Sequence, residues 1–235
     1  MESPVFAQLR EASRVVKMPV VELLRTDTRN VALAAGLFLA HGVLFYAMTV
    51  YTLAYTTSQL GLAENTYLIG VTAAGAVQIF TIPALGALSD KLGRRPVIMF
   101  GTLFIIAFSV PLNFMITSQI PVMAWLAVVI SICVGHNAVY APTAALYSEM
   151  FPAHVRYSGT SLGYQLGGAL AGFVPLIAAS MVGAAGGAYW PIPALIAVTG
   201  LIGFVCILLV RPIPEAQAQV GGVEPGPSRA HVSSA

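Results

Sequence analysis

Charge is scarce in this sequence. Asp, Glu, Lys and Arg make up only 9% of the 235 residues, against roughly 25% in an ordinary soluble domain. With 57% hydrophobic residues, that is too little polar surface to cover a water-soluble fold, so the excess apolar surface must meet a bilayer. Cysteine is nearly absent. Cys133 and Cys206 both sit in apolar runs and match no metal-ligand or redox spacing, which excludes a disulfide framework and leaves two small buried hydrophobes. A net charge of +2 provides no basic surface for nucleic acid. No cofactor or metal motif is present. Met1 to Asn30 lacks an apolar core behind a basic start, so it is not a secretory signal, and the first span is expected to direct its own insertion.

Long uncharged runs are what the sequence does contain. Six exceed the length of about 20 residues that carries a helix across a hydrocarbon core: Val31 to Tyr55, Thr66 to Leu88, Val97 to Thr117, Pro121 to Tyr147, Ser158 to Val182 and Tyr189 to Val210. They are too long and too continuously apolar for barrel strands. The expected fold is an all-α, polytopic bundle of six transmembrane helices over residues 31–210. A cytoplasmic linker over 1–30 precedes it and a disordered tail over 211–235, rich in Gly, Pro, Ser and Ala, follows it. Within the linker, Leu9, Val15 and Val16 among Arg10, Arg14 and Lys17 suit either a short interfacial helix or a solvated segment.

Orientation follows from the basic residues. With both termini cytoplasmic, every Lys and Arg lies inside, and among the short loops only the two internal ones carry any. Trp125 and Trp190 fall near the outer ends of spans four and six, where interfacial anchors belong. Spans one to three also echo spans four to six. His41 precedes Tyr46-Ala-Met-Thr49 as His136 precedes Tyr140-Ala-Pro-Thr143, and Gly75 stands eight residues before Pro83 as Gly167 does before Pro175. Three plus three is the arrangement of an inverted-repeat transporter half.

Two inner segments carry the most specific patterns. Gly86-Ala-Leu-Ser-Asp-Lys-Leu-Gly-Arg-Arg95 joins spans two and three. Gly86 would permit close helix approach, Gly93 a left-handed turn, and Asp90 and Arg94 a charge pair at the membrane surface. The positive-inside bias explains Lys91, Arg94 and Arg95 but not Asp90. The segment resembles the G-x-L-(S/A)-D-(R/K)-x-G-R-(R/K) loop signature of the major facilitator superfamily. Glu149-Met-Phe-Pro-Ala-His-Val-Arg156, between spans four and five, resembles that superfamily's E-x-F-P-x-x-x-R element, and its continuation to Gly168 is similar to the metabolite:proton symporter family. Glu2-Ser-Pro-Val-Phe resembles the end of that family's central loop and identifies the C-terminal half, although members normally have twelve helices. The resemblance implies alternating-access symport of a small, anionic metabolite or osmolyte with protons. It also implies a gating role for Gly86, Asp90, Gly93, Arg94, Arg95, Glu149 and Arg156.

Gly159, Gly163 and Gly167, with Gly168 and Gly172 as a second pair, are spaced for close backbone packing on span five. Pro83, Pro111, Pro142 and Pro175 would kink or unwind their spans. On span four, His136, Tyr140, Thr143 and Tyr147 form one helical stripe, with Asn137 beside it. The stripe suits either solute contact or interhelical hydrogen bonds. His41, Gln78 and Gln165 are weaker candidates for the same site. No acid lies within a span, so proton coupling would fall to a histidine or to carboxylates of the absent half.

Partners expected on this basis are a solute, protons, membrane lipid, and either an N-terminal six-helix half or a second copy packed on the glycine face. The location implied is a bacterial inner membrane. A remote alternative is an intramembrane serine hydrolase, since Gly159-Thr-Ser-Leu-Gly163 spells G-x-S-x-G, but Ser161 falls inside a helix rather than on a strand-turn-helix elbow.

Overall fold

The computed structural model describes residue 23 and residues 27–152 and 155–211. The Leu9 to Lys17 segment, the Glu2-Ser-Pro-Val-Phe match, His154 and the tail beyond Arg211 lie outside the described residues. Six helices are long and apolar enough to cross a membrane: α1 Thr28–Ser58, α2 Glu64–Leu92, α3 Arg94–Thr117, α4 Pro121–Met150, α5 Arg156–Ala184 and α6 Pro191–Leu209. The shortest, α6 with 19 residues, still reaches about 28 Å at the rise of an α-helix.

The helices begin and end where local chemistry dictates. Pro121 and Pro191 open α4 and α6 from the first turn, where a missing N–H costs nothing. Phe151, pushed to extended geometry by the following Pro152, closes α4. The segment expected to form a loop between spans two and three is almost entirely helical. α2 runs on through Leu92 and α3 begins at Arg94, so Gly93 alone makes the turn. Its φ of 94° and ψ of 152° lie in a region that only glycine occupies readily, in keeping with the left-handed turn expected there.

Most of the prolines do not interrupt their helices. Pro83, Pro111 and Pro142 sit inside unbroken helices. Only Pro175 accompanies a break, in the first turn of the Val174–Ala184 segment that resumes α5 after Phe173. The interior irregularities are instead two π-helical turns, Ala47–Tyr51 in α1 and Ser131–His136 in α4. Neither contains a proline.

α1 is the central helix, with 72% of its most apolar window buried, and α2 the most peripheral, with 11%. α1 packs on α5 and α6, α4 packs on α2 and α3, and α3 packs on α6. Exchanging α1 with α4, α2 with α5 and α3 with α6 leaves this contact pattern unchanged, as a three-plus-three repeat requires. The α1–α5 seam is built on small residues. A Cβ on Gly163 would stand 2.6 Å from that of Ala34, and one on Gly167 would run into Phe38 and the backbone oxygen of Ala35. Gly159 holds the Phe151 ring. This glycine face is therefore occupied within the chain, which removes the basis for packing a second copy on it. Gly168 makes only ordinary contact and Gly172 none, so the expected second pair does not pack inside the bundle. Gly86 likewise has open space where close approach was expected.

The two ends of the bundle are tied differently. At one end, Arg29 donates to the Leu209 carbonyl at 2.8 Å and Arg95 to those of Ile207 and Leu208 at 3.2 and 3.0 Å. Asn30 donates to Met150 at 3.1 Å. Cations thus fill the unpaired carbonyls at the negative end of α6. At the other end, Tyr67 donates to the Met48 carbonyl, Thr52 bonds Tyr189 and Tyr55 donates to Gly187. Trp125, expected as an interfacial anchor, is half-buried and donates its indole N–H to the Thr66 carbonyl, clamping α4 to α2. Trp190 is exposed.

Both ends of the described chain share the arginine-tied face. If that face is cytoplasmic, Lys91→Cys will stay unlabelled by an impermeant thiol reagent in intact cells while Ser118→Cys, at the opposite end, reacts; the reverse pattern would invert the topology. Both positions are exposed, unlike Ser89, which is buried. The α1–α5 seam yields a second test. Gly167→Ala should cost about 1–3 kcal/mol through overpacking and lower the thermal midpoint in detergent, whereas Gly172→Ala should leave it unchanged or slightly raised.

Candidate functional site

Three helices bring polar residues to the same depth. His41, Gln78 and His136 each lie 13 to 14 residues from the arginine-tied end of their helix, about 20 Å along the axis. Between them is a cavity of ≈ 310 Å³, lined by Phe38, His41, Gly42, Phe45 and Tyr46 of α1, Gln78 and Ile82 of α2, His136 and Tyr140 of α4, and Tyr164 of α5.

The aromatic rings form a connected wall. Phe38 touches both Tyr164 and His41, with centroids 4.7 and 4.6 Å away. His41 lies 5.1 Å from His136, which stacks on Tyr140 at 5.2 Å and meets Phe45 at 5.0 Å. His136 Nδ1 stands 3.1 Å from the His41 carbonyl oxygen. A carbonyl only accepts, so Nδ1 carries the hydrogen. The π-helical turn of α4 ends on His136, and the extra residue such a turn inserts resets the helical phase at this ring.

The span-four stripe divides at Tyr140. His136 and Tyr140 line the cavity, but Thr143 is buried and donates to the Val139 carbonyl of its own helix at 2.6 Å. Tyr147 donates to the Ala34 carbonyl and fastens α4 to α1. Asn137 is fully buried away from the cavity, its Nδ2 donating to Thr81 Oγ1 at 2.7 Å and binding α4 to α2. Gln165 is exposed and does not line the cavity; its neighbour Tyr164 does. The sequence reading missed Phe38, Phe45, Tyr46 and Tyr164. The signal for two of them was available, since Phe38, His41 and Phe45 recur at i, i+3 and i+7 along one face of the first span.

A second cluster lies at the arginine-tied end. Arg94 pairs with Asp90 across Gly93 and reaches Glu149 of α4 at 3.6 Å. Ser89 Oγ accepts from Arg94 at 3.0 Å. Asp90 at the C-terminal end of α2 and Arg94 at the N-terminal end of α3 each oppose the local helix dipole, so each offsets the other's cost. The Asp90 side chain is 64% exposed, and a pair that open to solvent contributes about 0–1 kcal/mol. Stability alone is a weak reason for it. Arg156 has no ion pair among the described residues and donates to the Phe151 carbonyl. Arg95 caps α6 and takes no part in the cluster.

No group of three or more metal-ligating side chains is present among the described residues. Ser161 lies within the continuous helical segment Arg156–Gly172, so no nucleophile elbow exists there.

The family model of the Major Facilitator Superfamily matches residues 10–232. The chain is 33% identical over 184 residues to the inner membrane metabolite transport protein YhjE of Escherichia coli, covering 76% of this chain and 42% of that protein. It is 30% identical to the shikimate transporter of Escherichia coli over 77% of this chain and 42% of that one. Against the glycine betaine/proline/ectoine/pipecolic acid transporter OusA of Dickeya dadantii it is 29% identical, over 77% and 36%. No solved structure matches. The chain belongs to the Major Facilitator Superfamily, carrying a partial, six-helix domain of it, and its relatives are metabolite transporters. It spans less than half the length of each of these three relatives.

The division of the stripe is directly measurable. Tyr140→Cys should react with a small water-soluble thiol reagent in detergent, and Thr143→Cys, one turn further on, should not. Equal reactivity would place both on one solvated face.

Proposed function

We propose that this chain forms the C-terminal half of an alternating-access carrier, moving a small organic acid or osmolyte with protons across a bacterial inner membrane with both termini cytoplasmic. The observation that supports this most is the cavity, which is polar and aromatic, sits at mid-depth and is walled by four helices of one half-domain. In facilitator architecture the solute site lies between two halves near the midplane, and transport is the rocking of one half against the other. The present cavity is one wall of such a site. His41, Gln78, His136, Tyr140 and Tyr164 are its solute-facing groups. The substrates for which the relatives are named, shikimate in one case and glycine betaine, proline, ectoine and pipecolic acid in another, are small metabolites of a size this cavity accommodates.

Asp90, Arg94 and Glu149 act in this scheme as a gate at the cytoplasmic ends, Gly93 making the tight turn that allows the first two to meet. Glu149 ties the α2–α3 turn to α4, while the exposed Asp90 is free to meet the N-terminus of a helix in the other half, where the dipole favours an anion. The complementary unit is an N-terminal six-helix half in preference to a second copy, since the glycine face that a second copy would have used already holds α1.

Reconstituted alone, the chain should give no proton-driven uptake of shikimate or glycine betaine above empty liposomes, and an N-terminal half from a relative should restore it. Saturable, uncoupler-sensitive uptake by the lone chain would make a self-assembled dimer the carrier instead. In the restored pair, Asp90→Asn should cut transport and shift thiol accessibility towards the inward-facing state; unchanged transport and accessibility would remove the gate.

A further inference from the structure

Every described Lys and Arg, namely Arg29, Lys91, Arg94, Arg95, Arg156 and Arg211, lies at or beyond the arginine-tied ends of the helices. The cavity is about 20 Å away along the helix axes. Among the described residues, its lining contains no carboxylate, lysine or arginine. The titratable groups facing it are Tyr46 from α1, Tyr140 from α4 and Tyr164 from α5, together with His41 and His136, while α2 adds only Gln78 and Ile82. Cys133, one turn before His136, is buried with its thiol on the Ala74 carbonyl. Among the described residues, a positive charge on this wall can therefore come only from an imidazole.

His41 is 1% exposed, and neither of its ring nitrogens has a hydrogen-bond partner. Leaving both buried nitrogens unpaired is costly, and an ionisable residue kept so within a membrane helix marks a working site more often than a packing choice. His136 is 7% exposed. With its Nδ1 hydrogen held by the His41 carbonyl, Nε2 is its basic atom. The two rings are 5.1 Å apart, and two cations that close in a medium of low dielectric cannot both form.

We propose that His41 and His136 together form a one-proton site in the cavity wall, so that this half-domain presents a positive charge to its solute only when a proton is bound. The proposal deepens the carrier reading and rests on it for its consequence. A carboxylate in the cavity favours the protonated pair, and the protonated pair favours the carboxylate by the same factor. Proton and anion then enter and leave together, with no acidic residue needed on this wall.

The test is a titration of the chain itself. The full chain, labelled with 15N-histidine and held in lipid nanodiscs, is followed from about pH 4 to about pH 9 around the ordinary histidine range. Only four histidines contribute, at positions 41, 136, 154 and 231. His41→Gln and His136→Gln assign the two in the cavity. His136 is expected as the Nδ1–H tautomer at high pH, and His41 and His136 should gain one proton between them. Removing either ring should move the midpoint of the other by about one pH unit or more, a tenfold change in affinity. Two independent one-proton titrations with unmoved midpoints, or two rings that stay neutral throughout, would overturn the proposal. Should a variant fail to fold, the wild-type occupancy still decides, since a sum rising to two or staying at zero excludes a shared proton. Because no transport is measured, uptake by the paired halves without such a titration would sink the proton site and leave the carrier standing.

Discussion

The contact on which the rest of the site depends is the seam between α1 and α5. Gly167 offers no side chain, so Phe38 lies directly against the α5 backbone, and the same ring touches Tyr164 on one side and His41 on the other. A bilayer gives helices little hydrophobic reason to associate, so close packing of small residues must do that work. Here it also sets the spacing of the cavity wall. The α2–α4 contact mirrors it through the repeat: Gly70 admits Trp125, whose indole fixes α4 beside the helix that carries Gln78. Each three-helix unit thus brings one wall of the cavity into register by a glycine that accepts an aromatic ring.

Much of the fold was legible in the sequence because the bilayer imposes a simple rule. The six uncharged runs begin and end within three residues of the helix ends at every boundary except the C-terminal end of α2, which runs four residues on, and α3 starts three residues early, at Arg94. In those places charged residues continue the helix beyond the apolar region, so hydropathy stops early and a helix end is mistaken for a loop. Asp90, Arg94 and Glu149 were readable as a group because an acid in a basic turn breaks the charge bias, and the structure brings all three together. Arg156 was not separable from them in one dimension. Its partner is a backbone carbonyl, which leaves no trace in residue identity.

The site was legible only in part, for reasons of helical phase and crossing. The stripe His136, Tyr140, Thr143 and Tyr147 is a real face of α4, but a face meets different neighbours along its length. Near His136 it opens on the cavity, and near Tyr147 it is covered by α1, so the same periodicity yields cavity-lining and structural residues in succession. The π-helical turns add a second obstacle, since Ser131–His136 resets the phase without a proline or glycine pair to announce it. Asn137 and Gln165 show the cost of a single step along a helix. One position separates each from a residue that lines the cavity.

The exposed surface of α2 bears on what covers the cavity. Ile79 and Phe80 are 70% and 75% exposed, and such apolar groups suit lipid as well as they suit another protein. The discriminating residues are polar. Gln78 on the same helix and Tyr140 line the open cavity at mid-depth, and His41 beside them keeps both ring nitrogens buried without a partner. In hydrocarbon each unsatisfied polar group costs several kcal/mol, more than the apolar face of α2 recovers by meeting lipid rather than protein, since the two are nearly equivalent environments for Ile79 and Phe80. The balance is therefore set by a few polar atoms rather than by the larger apolar area. It supports the proposed arrangement, in which a second set of helices closes over the cavity and traps water or solute against its aromatic wall.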